Sequence, residues 1–226
     1  MFSSVFQLIF PSTCAVCGQV LVGSERQICL DCLEQLQQAR IEDHPHSLAE
    51  MRLQGRVPYT AALSAHVYVK EGVVQHAVHA MKFRGCTELC RLMGRQMGQM
   101  LTASGRFDQV DVLVPVPLHW LRQLHRGYNQ SHLLCLGIGD ITARPVECRS
   151  LIRRRYTRQQ SLRRGNERAD AVAGAFAIRH RERLEGKHVL LVDDVLTTGS
   201  TLSACATALA TVPGISISVA TFSIVT

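Results

Sequence analysis

The 226-residue chain contains no run of eighteen apolar residues, so a membrane-spanning helix is not expected. Its apolar start, Met1 to Phe10, is without the basic n-region and small-residue cleavage site of a secretory signal. It has no Gly-x4-Gly-Lys-Ser/Thr loop for a nucleoside triphosphate and no Gly-x-Gly-x-x-Gly turn for a dinucleotide. No cysteine occurs between Cys32 and Cys86, and no lysine between Arg149 and Arg183. These absences point to a cytoplasmic protein that handles phosphate, where it does so, without the two commonest nucleotide loops. With 46% hydrophobic residues, the chain can build one sizeable core and a small appendage.

The most informative segment that is present is 189–201, Val-Leu-Leu-Val-Asp-Asp-Val-Leu-Thr-Thr-Gly-Ser-Thr. Val189 to Val192 has the length and β-branched content of a buried parallel strand. Asp193 and Asp194 then fall at its C-terminal edge, where ligands bind in open α/β sheets. Thr197, Thr198, Gly199, Ser200 and Thr201 combine hydroxyl donors with a glycine that lets backbone N–H groups approach an anion. Leu202 to Leu209 reads as a helix whose N-terminal N–H groups and positive dipole end face the same anion. Two carboxylates repel phosphate, so their expected partners are ribose hydroxyls or a divalent cation. The plainer reading of such a pair is a helix cap or turn former.

Nine cysteines in a chain of intracellular character suggest metal ligation or buried core thiols, since disulfides rarely persist in reducing compartments. Cys14, Cys17, Cys29 and Cys32 form two Cys-x2-Cys knuckles spaced for a tetrahedral, structural zinc ion. An iron-sulfur cluster and a redox pair are the competing readings. Four thiolates leave no open coordination position, and the metal would supply folding free energy that a module of this size lacks. Cys86, Cys90, Cys135, Cys148 and Cys205 are expected to be core residues.

The polar stretch around Asp43-His44-Pro45-His46 reads as a linker. It divides a zinc-binding module, 1–42, from a domain at 59–226, with 43–58 between them. Strands are expected at Tyr59–Val69, Val110–Val116, Lys187–Val192 and Ile215–Thr226, and helices at Val73–Phe83 and Glu88–Leu101. Alternation of strand and helix implies a mainly parallel α/β sheet flanked by helices.

The acidic pair followed by Thr-Thr-Gly-x-Thr resembles the phosphoribosyl pyrophosphate (PRPP) motif of type I phosphoribosyltransferases. Further segments extend the likeness: Val-Pro-Val-Pro-Leu, Arg-Gly-Tyr-Asn-Gln-Ser, Arg-Arg-Arg-Tyr-Thr-Arg-Gln-Gln and Gly-Ala-Phe are similar to the ComF family. The chain has Ala171 where that family usually has asparagine. The resemblance implies a type I phosphoribosyltransferase-like domain behind zinc knuckles, associated with natural competence and the handling of incoming DNA. It implies PRPP binding with Mg2+, the 5-phosphate on Val195, Leu196 and Thr197 to Thr201, and the ribose on Asp193 and Asp194. Arg126, Asn129, Arg153, Arg154, Arg155, Arg158 and Gln159 would hold pyrophosphate, Arg126 and the acidic pair being the catalytic set.

Arg149 to Arg183 contains eleven arginines against Glu167, Asp170 and Glu182, a net +8 in a chain of +7. The basic character therefore belongs to one arm, and arginine's planar fork suits bidentate phosphate recognition. Its ligand is either the pyrophosphate of PRPP or the backbone of a nucleic acid such as single-stranded DNA, with Tyr156 available to stack on a base. A solvated helical face is the plainer alternative. The sequence identifies neither an acceptor nor a general base.

Overall fold

Four apolar segments pair side by side because each is hydrophobic on both faces and must be covered by helices on both. They are β1 (Ala62–Tyr68), β2 (Val112–Pro115), β5 (His188–Leu196) and β6 (Ser216–Val225), in the order β1-β6-β5-β2 with every pairing parallel. The computed structural model describes residues 11–154 and 174–226. Leu151–Arg153 (β3) and Phe176–Ile178 (β4) form a separate antiparallel pair.

One face of the sheet is covered by α3 (Val73–Phe83), α4 (Thr87–Ser104) and α6 (Gln130–Thr142), packed on Leu63, Leu113, Leu190, Val192, Ala220 and Phe222. The other carries α2 (Leu48–Leu53) and α7 (Ser200–Leu209), packed on Val112, Val114, Val189, Leu191, Ile217 and Val219. The chain thus leaves β2 along one face and β5 along the other. A crevice opens where such connections diverge, at the carboxyl ends of the strands. Two helices on the first face approach closely: a Cβ on Gly137 of α6 would land on the carbonyl oxygen of Arg91 in α4, and one on Gly94 would land on that of Leu134. This contact fixes the height of α6, whose first residues reach the crevice.

The expected strands and the helix Val73–Phe83 are all present. Two features of the backbone differ from the expectation, and Cys148 is exposed where a core residue was expected. β5 continues to Leu196, pairing Asp193 with Thr221 and Leu196 with Ile224, so the acidic pair lies within a strand and not after one. It is nevertheless open on the β2 side, because β2 stops at Pro115 and its last backbone bond runs from Val116 N to Val192 O. Pro117 has no N–H to extend the ladder. Second, 43–58 is not a bare linker: Ser47 caps α2, Leu53 is fully buried, and Glu50 accepts from the N–H groups of His46 at 2.7 Å and Ala62 at 3.3 Å. A short amphipathic turn hidden among polar residues has too few periods to be read from sequence. The stretch after β2 also carries a helix, α5 (Trp120–Arg126), which starts on a His119 cap and stops at left-handed Gly127.

The N-terminal module packs onto the same core. Cys14, Val16, Ile28, Cys32 and Leu36 join the cluster that contains Met81, Leu89 and Met93, while α1 (Leu30–Gln38) runs on into residues that flank β1. Ile41 N donates to Ala65 O and Val67 N to Ala39 O, each at 3.0 Å, which pairs this segment along the outer border of β1. The opposite border, at β2, is met by 145–147: Leu113 N donates to Pro145 O and Glu147 N to Leu113 O, both at 2.9 Å.

Candidate active site

The crevice at the carboxyl ends of β2 and β5 is a cleft of about 590 Å3. Asp193, Asp194 and Thr201 line one side, Gln130, Ser131 and Arg126 a second, and Lys82, Phe83 and Arg84 at the end of α3 a third. Arg153 of β3 reaches it as well, its guanidinium 5.2 Å from the Phe176 ring centroid.

Asp194 is buried. Lys82 Nζ lies 2.9 Å from its Oδ2, and Gln130 Nε2 donates to the same oxygen at 2.8 Å. Gln130 Oε1 in turn accepts from Arg126, which sits 5.4 Å from the centroid of Phe83. Oδ1 of Asp193 accepts from Ser131 Oγ at 3.0 Å and from Asp194 N at 2.9 Å. Burial, and then the charge of Asp194, raises the Asp193 carboxyl to about 7, against the opposing pull of the Asp194 N–H, Lys82 and Ser131. The two adjacent acids therefore differ in character. One is matched to a cation; the other is poised to exchange a proton near neutrality.

Beyond the pair, Gly199 adopts φ +79°, which turns the chain into α7. Ser200 N donates to Thr198 Oγ1 at 3.4 Å, and Thr198 Oγ1 and Ser200 Oγ lie 3.1 Å apart. Thr197 and Thr198 are exposed. A ten-residue helix starts here, and the N-terminal turn of such a helix is an arrangement that receives an anion.

Several of the expected site residues do not line the cleft. Leu196 is buried in the core and Val195 packs against it, so neither side chain faces the cleft. Asn129 caps α6: its Oδ1 accepts from Ser131 N at 3.0 Å and its Nδ2 donates to Val116 O at 3.0 Å. These two bonds hold the β2–α6 connection. Arg154 is exposed beyond β3, and Arg155, Arg158 and Gln159 lie outside the described residues, as do Tyr156 and Ala171. Sequence reasoning missed Lys82, Ser131, Arg52 and Arg56. The first had a signal, since Lys70, Lys82 and Lys187 are the chain's only lysines and Lys82 ends an amphipathic helix. The others had none.

The metal centre is built from two turns. Cys14 N donates to Gln19 O at 2.7 Å and Gly18 N to Cys14 O at 2.9 Å, bending the first knuckle; Cys29 caps α1 and carries the second. The sulfurs of Cys14, Cys17, Cys29 and Cys32 all lie within 4.8 Å of one another, with Cys17 and Cys29 at 3.7 Å. Tetrahedral zinc with Zn–S bonds of about 2.3 Å requires sulfurs about 3.8 Å apart, so the four residues fit the ion. The site is structural.

Comparison with known proteins agrees with both parts. Residues 119–223 match the phosphoribosyl transferase domain, and residues 5–45 the double zinc ribbon domain. Only four cysteines fall within 5–45, one zinc set of the two that the second description implies. The chain is 28% identical to DNA utilization protein YhgH of Salmonella typhi, over 87% of this chain and 89% of that protein. It is 27% identical to competence protein ComFC of Bacillus subtilis, over 84% of this chain and 68% of the other. Among solved structures, the hypoxanthine phosphoribosyltransferase of Trypanosoma cruzi aligns with TM-score 0.37 and 18% identity, over 59% of this chain and 64% of that one. The chain thus carries a phosphoribosyl transferase domain behind a four-cysteine zinc ribbon, and it is similar over most of its length to proteins named for DNA utilization and competence.

Proposed function

We propose that the cleft binds PRPP and that the protein transfers its phosphoribosyl group to an acceptor, releasing pyrophosphate, in the cytoplasmic handling of incoming DNA. The observation that carries this reading is the placement of Asp193 and Asp194 at the open edge of β5, facing the cleft and directly preceding the Thr197–Thr201 turn into α7. The turn would take the 5-phosphate on its N–H and hydroxyl groups, and the carboxylates would accept from the ribose 2- and 3-hydroxyls. Lys82, Arg84, Arg126 and Arg153 line the same cleft and bring to it the positive charge that the pyrophosphate would need.

In that pose the bond from C1 to the pyrophosphate oxygen breaks as a bond from C1 to the acceptor forms, and the acceptor's proton is lost. The arginines and Lys82 stabilise the charge that grows on the leaving group, and enclosure by the cleft strengthens that effect. Mg2+ fits the oxygen donors available and would neutralise part of the pyrophosphate charge. The setting follows the relatives, which are named for DNA utilization and competence.

A second reading is a PRPP- or nucleotide-sensing protein that binds without transfer and acts with single-stranded DNA. Its support is the engagement of Asp194 by both Lys82 and Gln130, which leaves that carboxylate already satisfied. Pyrophosphate release measured against a panel of acceptors separates the two. Acceptor-dependent release that vanishes in Asp193→Asn supports transfer, whereas PRPP binding with no release under any acceptor supports the sensor. PRPP affinity unchanged in both Asp193→Asn and Asp194→Asn would remove the common premise.

A further inference from the structure

The helix that the sequence concealed in 43–58 touches the phosphate turn from behind. Arg52 donates through Nη1 to the carbonyl of Thr197 and through Nη2 to Val225 O at 2.9 Å, so one guanidinium joins the turn to the end of β6. Arg56 Nη1 donates to Thr198 O at 2.9 Å, and its own carbonyl accepts from Ser203 Oγ of α7 at 2.8 Å. Leu53, between them, stands 3.0 Å from where a Cβ on Gly199 would lie. α2 and the residues just after it, Gln54 to Arg56, thus meet three successive residues of the turn.

From these contacts we propose that α2 is a brace for the anion-binding turn, and that Arg52 and Arg56 are positioning residues that aim its N–H groups into the cleft. The argument is one of peptide geometry. In a trans peptide the carbonyl of one residue and the N–H of the next point in opposite directions, and the chain has no cis bond among the described residues. Holding the carbonyls of Thr197 and Thr198 toward α2 therefore turns the N–H groups of Thr198 and Gly199 away from it. Among the described residues no group accepts from either N–H. Gly199 is left-handed, a conformation found where successive N–H groups converge on an anion.

The brace is itself anchored. Ser47 Oγ donates to Ala62 O at 3.2 Å, Tyr59 OH donates to Glu50 O at 3.1 Å, and Arg106 bridges the carboxylates of Glu50 and Asp43. These bonds tie α2 to the start of β1 and to the residues just beyond α4. The turn is therefore held by a segment more than 140 residues away in sequence.

The proposal rests on the assignment of this turn to the 5-phosphate, so its test includes a measurement made without ligand. Amide hydrogen exchange on the full zinc-loaded chain is compared between wild type and Arg52→Ala/Arg56→Ala. We expect the amide of Ser203, which donates to Gly199 O at 2.8 Å and so reports the hold of the turn on α7, to exchange at least about tenfold faster, with those of 189–192 unchanged. PRPP titration should show affinity falling about tenfold in each single variant, since each removes a charge-assisted bond. Arg52→Lys, which keeps the charge but cannot reach both carbonyls, should fall between wild type and Arg52→Ala. If pyrophosphate release is measurable, KM for PRPP should rise more than kcat falls. Unchanged exchange at Ser203 in the double variant, or PRPP affinity unchanged by the single substitutions in a protein that binds PRPP, would overturn the brace. A wild-type protein that fails to bind PRPP defeats the functional reading instead, while the exchange measurement still decides the brace.

Discussion

Lys82 and Asp194 form an ion pair at 2.9 Å that is largely withdrawn from water, the carboxylate side chain being 7% exposed and the lysine 25%. Removing one partner of such a pair leaves an uncompensated charge. Lys82→Met should therefore destabilise the fold by about 3 kcal/mol, and Lys82→Met/Asp194→Asn should recover most of the loss. Urea denaturation of the four proteins of this cycle measures the coupling. Additive effects of the two substitutions would show that the pair is not a unit.

The neighbouring acid behaves in the opposite sense. The folded-state value of Asp193, about 7, lies above its ordinary 3.8, so the folded chain binds more protons than the unfolded chain between those limits. Its contribution to stability is complete below about 4 and is lost as pH rises through about 7. Asp193→Asn should accordingly be more stable than wild type at pH about 8 and nearly equal to it in mild acid. Ribose hydroxyls donate to the charged form, so PRPP affinity should increase as pH rises through about 7, and this step should be missing in the variant. A pH-independent stability difference between the two proteins would contradict the assignment.

Zinc should support the whole molecule and not only its first forty residues. Cys14 and Cys32 share a core cluster with α3 and α4, so Cys32→Ser should lower the zinc content from one per chain and also lower the single thermal unfolding midpoint. Metal analysis with calorimetry checks both. Two transitions, with only the first sensitive to chelator, would mean that the module and the larger domain unfold separately.

Two glycines separate backbone strain from packing. Gly199→Ala places a side chain at φ +79° and 3.0 Å from Leu53 Cδ2, and should cost about 1–2 kcal/mol while weakening PRPP binding more than stability alone would suggest. Gly137→Ala drives a methyl into backbone atoms of α4, with no flexible group to give way. It should cost at least about 3 kcal/mol, and denaturation midpoints should rank the two accordingly. The reverse ranking would mean that α4 and α6 separate easily.

Much of this was legible in the sequence because the signals are local. The strand, acidic pair and turn at 189–201 announce themselves within thirteen residues, as do the cysteine knuckles within nineteen. What escaped depends on distance along the chain. Nothing near Arg52 or Arg56 says that the carbonyls of Thr197 and Thr198 wait for them, because that meeting is made by β1 pairing with β6. The capping by Asn129 escaped for a different reason: in Arg126–Gln130 the motif mixes residues of two kinds. Arg126 and Gln130 face the cleft, while Asn129 serves the helix that presents them. The strand end at Val192 was misplaced because two aspartates look like a stop signal, yet a partner strand on one side continues to supply backbone bonds.

Finally, both borders of the four-stranded sheet are occupied, by 39–41 along β1 and by 145–147 along β2. An open border of this hydrophobic sheet would be a template for another chain to add to. With those donors and acceptors already spent, two copies cannot extend one sheet across their junction at these positions. Self-association would have to use helical faces, and a fibril seeded from β1 or β2 would first have to strip away a native segment.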